Sequence, residues 1–388
     1  MRTRLHLRCT LLVLLALATI RTAVAQAQWQ PVASAPEDGV VCMTSLGNTL
    51  IAATSAIESG PVFLSTDSAN TWTLCDSFPQ IQNVTALFTY RGTLLAGTRP
   101  ESTRPLVFRS ADTGRTWKGV DSIGEYDQVD CFAADSQFVF AGAELNKRGA
   151  FLRSSDGGAT WSELNVGHFG ERIFSILIFA HTIFVGDWGS CIYSSTDEGL
   201  HWNIVQPLYA TALASKDSLL FASTHDGFCV SSDTGKTWRT STTGLISRNQ
   251  GYAGALVVAG NDLFQTISAS APEVFRSTDN GSTWKYAADG INGWPSLEML
   301  QVFGDYLITG AGWPYPALWR RPLADFGKPR LAVLQASIQS VELSNYPNPF
   351  SESTTIQFDL PTSGYVSLTL TDAAGREKVL IDHENMRA

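Results

Sequence analysis

The sequence predicts an all-β chain: a seven-bladed β-propeller of four-stranded antiparallel blades, followed by a truncated small β-sandwich. Three observations predict it. A Ser-x-Asp-x-Gly-x-Thr-Trp pattern occurs six times, its tryptophans are 45, 44, 41, 36 and 46 residues apart, and short apolar strands with polar turns precede each copy. A period near 40 residues built from short strands is what a propeller blade leaves in a sequence.

The six copies are centred on Asp67, Asp112, Asp156, Asp197, Asp233 and Asp279 and close on Trp72, Trp117, Trp161, Trp202, Trp238 and Trp284. Their composition is that of a tight turn. The aspartate is expected to accept a backbone N–H two residues on, the glycine to take a positive φ, and the tryptophan to wedge between blades. Ala69 replaces the glycine in the first copy and His201 the threonine in the fourth. These residues read as structural.

Upstream of the turns, segments such as Gly92-Thr-Leu-Leu-Ala-Gly-Thr98 and Asp217-Ser-Leu-Leu-Phe-Ala-Ser-Thr224 give a polar turn and then an apolar strand ending in small residues. A strand such as Val107-Phe108-Arg109 leads into the turn. A seventh unit, Gly304-Asp-Tyr-Leu-Ile-Thr-Gly310 and Leu318-Trp319-Arg320, lacks the turn and any fourth strand. Gln28-Trp29-Gln30-Pro31-Val32 resembles the fourth strands of other units, so the N-terminus is expected to complete blade seven and close the ring.

Residues 1–25 read as a cleaved export signal: Arg2, Arg4 and Arg8, an apolar run from Leu11 to Ile20, then Ala23-Val24-Ala25. Without that leader's four arginines, 23 basic residues face 36 acidic ones, and the formal charge goes from −9 to −13. Such a balance argues against nucleic acid or an anionic membrane as partner. Cys42, Cys75, Cys131, Cys191 and Cys229 form no CxxC pair; a Cys191–Cys229 bridge is the one pairing left open, and most are expected to be buried thiols. Residues 26–323 are assigned to the propeller, 324–341 to a linker and 342–388 to the terminal domain.

The repeated turns resemble those of the Asp-box, or bacterial neuraminidase repeat, superfamily. That superfamily includes sialidases, xyloglucan-cleaving glycosidases, sortilin-type receptors and photosystem II assembly-factor propellers. The resemblance implies that the turn lies on the rim, away from the functional mouth. Near the other end, Tyr346-Pro347-Asn348-Pro349-Phe350, followed by Thr354-Thr-Ile356-Gln-Phe358 and Val366-Ser-Leu368-Thr-Leu370, resembles a type IX secretion system sorting domain. It implies routing by that machinery to the cell surface or medium, through the periplasm. The sequence stops at Ala388, short of that domain's usual length.

Because enzymes and non-enzymes share the fold, function must come from the site. A sialidase needs converging arginines and an Arg-Ile-Pro motif ahead of the first repeat; no arginine lies between Gln26 and Ser65, and Glu171-Arg172-Ile173-Phe174 is only an echo. Glu144, Glu171, Asp187 and Asp226 lie on expected mouth loops, as in any acidic propeller. No HExxH, phosphate loop or nucleophile elbow is present, and the histidines have no ligand spacing; neither metal nor cofactor is expected. Exposed aromatics among polar groups suit a glycan or peptide. The candidate ligand-binding residues are Trp188, Asp187, His225, Asp226, Trp313, Tyr315 and Arg148, with Arg99, Glu101, Arg104, Lys147, Trp294 and Pro314 on the same loops. The sequence thus reads as an exported, non-catalytic, monomeric propeller that binds glycan or protein, with a divergent glycoside hydrolase or an assembly scaffold as alternatives.

Overall fold

The computed structural model describes residues 28–326 apart from 37–38, 55–59, 79–81, 101–105, 121–125, 165–168, 190, 207, 225–226, 242, 246–251, 269–271, 293–295 and 312–316, and the backbone of six strands outside that range. Seven four-stranded antiparallel sheets follow one another in chain order. Their inner strands are Val40–Leu46, Gln82–Tyr90, Gln128–Ala134, Ile173–Phe179, Ala210–Lys216, Tyr252–Ala259 and Leu297–Phe303. Each of the first six blades is a simple meander, from inner to outer strand.

The seventh blade takes three strands from Leu297–Phe303, Tyr306–Ala311 and Ala317–Pro322, and its outer strand, Gln30–Pro31, from the other end of the propeller. Trp29, 2 % exposed, anchors that strand: its indole Nε1 donates to Ala287 O at 2.7 Å and its backbone N–H to Asp289 O at 2.8 Å. Val32 N–H donates to Leu318 O at 2.9 Å.

The repeated turn works through hydrogen bonds within eight residues. In the second copy Asp112 accepts the Thr116 N–H at 2.8 Å and the Thr116 hydroxyl at 2.6 Å, while Ser110 donates to the same carboxylate and receives the Gly114 N–H. The aspartate therefore accepts four residues on, not two. Two successive residues have positive φ, Thr113 at 60° and Gly114 at 87°, and they wrap the chain into a wider loop than an Asx turn. Ala69 takes the same conformation at φ 66°, and His201 Nδ1 lies 2.6 Å from Asp197, where the other copies place a threonine hydroxyl. The tryptophans do meet the preceding blade: Trp202 packs edge-on against Phe151 at 5.0 Å and Trp284 against Phe228 at 4.8 Å.

The small residues ending the second strands have a packing reason. A Cβ on Gly97 would lie 2.7 Å from Val129 O, and one on Gly310 would lie 2.5 Å from Val40 O. Each of these glycines lets the next blade's inner strand approach. All five cysteines described are free thiols. Cys191 and Cys229 are not equivalent, because Ile192 pairs with Gly186 whereas Phe228 pairs with the corresponding Ser223; Cys191 thus matches Gly227.

Residues 1–27 and 324–388 form a second unit. In it Ser353–Asp359 pairs with Leu343–Tyr346 and Arg2–Arg8, and Gly364–Thr371 pairs with Glu377–Met386 and Leu17–Thr22. The side chains of the export signal and of the sorting segment, and residues 327–341 of the linker, lie outside the described residues. Among the described residues, no helix is long and apolar enough to cross a membrane.

Candidate functional site

Every inner strand carries a register shift near its first residues. The extra residue is Val41, Thr85, Asp130, Phe174, Thr211 and Glu298 in six blades, while in blade six Gly254 and Ala255 together face Thr266. A bulge bends the strand and re-aims the side chain it inserts. On blades three and four the inserted residues are Asp130 and Phe174. Beside them, on the face carrying the loops between second and third strands, lies a cleft of about 480 Å³ that spans blades two to four.

Arg172 forms the floor of the cleft. Its guanidinium pairs with Asp130, lies 3.3 Å from Glu144 Oε2 through Nε, and stacks over the Phe174 ring at 4.7 Å. Glu144 also accepts a 2.7 Å bond from Gln128 Nε2. Asp130 is 3 % exposed, and that burial raises its carboxyl above the ordinary value despite the attraction of Arg172. The inner carboxylates therefore share one arginine: both Asp130 oxygens accept from it, and Glu144 Oε2 lies beside it while accepting from Gln128. Arg99, Lys147 and Glu171 lie at the solvent edge.

Trp188 forms the aromatic wall, between Phe174 at 5.6 Å and Tyr209 at 5.2 Å. The wall is held by backbone pairing: Glu171 N–H donates to Trp188 O at 3.1 Å and Trp188 N–H to Arg172 O at 2.8 Å. Asp187, fully buried, accepts the Gly170 N–H at 2.5 Å and the Cys191 N–H at 2.8 Å. These bonds make Asp187 a fastener of the two loops rather than a cleft-lining group. The cleft is pre-formed.

Of the expected ligand-binding residues, Trp188 lines this cleft, together with the loop residues Arg99, Glu144, Lys147 and Glu171. Arg148 does not: it pairs at 3.0 Å with Glu163 on blade three's outer strand. His225, Asp226, Trp313 and Tyr315, with Glu101, Arg104, Trp294 and Pro314, lie outside the described residues. Sequence reasoning missed Gln128, Asp130 and Phe174 and passed over Arg172. The available signal was Asp130 itself, a carboxylate inside the strand Gln128-Val-Asp-Cys-Phe-Ala-Ala134. Among the described residues no group of three or more histidine, cysteine, aspartate or glutamate side chains is placed to hold a metal ion.

No family model and no curated protein matches the chain. Solved structures do. YCF48 bound to D1 peptide superposes with a TM-score of 0.58 at 14 % identity, over 78 % of this chain and 99 % of that one. YCF48 from Cyanidioschyzon merolae gives 0.56 at 14 % identity, over 76 % and 99 %. The GH74 xyloglucanase from Xanthomonas campestris gives 0.59 at 17 % identity, over 93 % of this chain and 61 % of the enzyme. At these identities the likeness is one of fold: this chain has the seven-bladed β-propeller that is also found in YCF48 and related to that of GH74 enzymes.

Proposed function

We propose that this chain is an exported, non-catalytic propeller that binds a segment of another protein in the cleft over blades two to four. The observation that carries this reading is the pre-formed wall of Trp188 and Phe174 beside closely spaced charges of both signs, Arg99, Lys147 and Arg172 against Glu144 and Glu171. A peptide offers charged, amide and apolar groups at that spacing, and a locked cleft spares the entropy of ordering loops. A peptide complex of YCF48, a propeller of the same fold, supports the reading by analogy. The N-terminal signal pattern and the Tyr346-Pro-Asn-Pro-Phe350 segment support export by a type IX route to the cell surface or medium.

A glycan is the second reading, because a half-buried tryptophan at the edge of a polar cleft also suits a sugar face. In a divergent hydrolase two carboxylates would have to flank the scissile bond, whereas Asp130 and Glu144 converge on Arg172. The test is an array of peptides and glycans probed with the mature protein and with Trp188→Ala, with sugar turnover followed in parallel. Peptide capture that falls at least about tenfold in Trp188→Ala supports the proposal. Glycan capture alone would replace it with the second reading, and turnover would overturn it.

A further inference from the structure

Four blades carry an arginine at one repeated position of the third strand: Arg109, Arg153, Arg276 and Arg320, paired across the sheet with Leu95, Phe140, Phe264 and Ile308. Two residues before each of those partners, on the same face of the second strand, stand Thr93, Phe138, Asp262 and Tyr306. In three blades this neighbour receives the arginine. Arg153 lies over Phe138 at 4.6 Å, Arg276 donates to Asp262 at 2.8 Å, and Arg320 lies over Tyr306 at 4.9 Å.

The following blade adds a second contact through its Asp-containing turn. Arg153 reaches Glu198 at 3.3 Å, and Arg320 reaches Ser68 O and Asn70 Oδ1 at 2.7 Å each. Blade two lacks both devices. Thr93 supplies neither charge nor ring, and the turn that follows carries Gly157 at the position of Glu198. Arg109 still points there: its Nη2 lies 3.8 Å from where a Gly157 Cβ would be. Its Nε is buried without a hydrogen-bond partner, and among the described residues the guanidinium makes no ion pair.

A second cation stands beside it. Lys118 is directly opposite Arg109 across the third and outer strands, a placement that repels when nothing neutralises it. Blade six has the same arrangement, Arg276 opposite Lys285, with Asp262 as counter-charge. In blade two a cavity of about 670 Å³ opens at this place, lined by Thr93, Arg109 and Lys118 on one side and by Ala159 of the next turn. Asp112 also borders it, but its carboxylate is taken up by Ser110 and Thr116.

We infer that this rim cavity between blades two and three is a second binding site, for a ligand carrying a carboxylate or sulfate group. The oxyanion takes the place that Asp262 fills in blade six. A guanidinium fork accepts such a group through two parallel hydrogen bonds, and the lysine adds a point charge. The site lies on the turn-bearing rim and shares no lining residue with the loop-face cleft, Thr93 and Arg99 standing at opposite ends of one strand, so it stands or falls independently of the function proposed above.

The test is calorimetric titration of the mature protein with inorganic sulfate and with glucuronate at fixed ionic strength. Saturable binding by the native protein is expected, weakened about tenfold or more in Arg109→Gln and in Lys118→Gln, as the loss of a charge-assisted bond implies. Lys285→Gln on blade six should leave it unchanged. Thr93→Asp installs the internal counter-charge and should abolish binding while raising Tm, an outcome that does not depend on how well Arg109→Gln folds. Tighter binding of glucuronate than of sulfate would identify a sugar-borne carboxylate as the ligand, and equal binding a free anion; both retain the site. No saturable heat with either probe, or native affinity in Thr93→Asp, would overturn it.

Discussion

Asp130, inserted by the bulge in blade three's inner strand, holds the guanidinium of Arg172, the residue that leads into blade four. The pair couples two blades at the floor of the cleft. Because burial outweighs the attraction of Arg172 and raises the Asp130 carboxyl, ionised Asp130 lowers stability at neutral pH, and this penalty is relieved as pH falls through its folded pKa. Asp130→Asn is therefore expected to leave Tm within about 2 °C of native or slightly above it. The same change should weaken ligand capture by freeing Arg172. Array binding beside a melting curve checks both; a large loss of Tm with intact binding would contradict the assignment.

Gly186 and Ala210 make the corresponding contact between blades four and five. A Cβ on Gly186 would lie 2.6 Å from Ala210 O and 3.0 Å from Ala210 Cβ, with backbone on the far side that cannot move aside alone. Gly186→Val is expected to destabilise the propeller by about 2–3 kcal/mol, measured by urea unfolding. Gly189→Ala, three residues on, meets no neighbour within 4 Å and tests a different quantity, since its φ of 96° strains any side chain.

The aspartates of the repeated turn are held well below the ordinary carboxylate range. Hydrogen bonds from Thr71 and Thr116 bring Asp67 and Asp112 to about 2, and the corresponding bonds from His201 and Thr237 act likewise on Asp197 and Asp233. A carboxylate with a depressed folded pKa contributes stability above its unfolded value, near 3.9, and loses that contribution as pH falls toward the folded one. Tm should be insensitive to these groups above pH ~5 and fall between pH ~4 and ~2. Thr116→Val removes the hydroxyl donor to Asp112 while leaving the backbone N–H; the folded pKa of Asp112 should rise toward the unfolded value, lowering stability near neutral pH and making the acid fall shallower.

Trp29 closes the ring from a distance of 258 residues, through its bond to Ala287 O. Trp29→Ala removes a large buried side chain and the donor with it, and is expected to destabilise by about 3–5 kcal/mol. The freed edge of Ala317–Pro322 should also promote association between molecules. Light scattering during unfolding would register it, and a monomeric, native-like melt would refute it.

The turns were legible in the sequence because their chemistry is local. Ser110, Asp112, Gly114 and Thr116 satisfy one another within seven residues, so the pattern survives in one dimension. One detail was misjudged, the reach of the aspartate, because the two successive positive-φ residues that extend the loop leave little mark when one of them is Thr113 rather than glycine. Asp187 looked like a mouth-loop acid and is instead buried under two backbone N–H groups. Its adjacency to Trp188 in sequence conceals the alternation of faces that sends one inward and leaves the other on the cleft.

By itself the sequence determined the period, the turn, the all-β class and the number of blades, since each rests on hydrogen bonding and strand alternation between near neighbours. Only the tertiary structure decided the sites. The cleft joins Arg99 of blade two to Trp188 of blade four around bulges that move Asp130 and Phe174 out of their expected phase. The rim cavity is defined by what Arg109 lacks when the blades are superposed. Side chains from three strands or three blades meet there because closing the ring brings them together, and neither propensity nor spacing along the chain encodes that meeting.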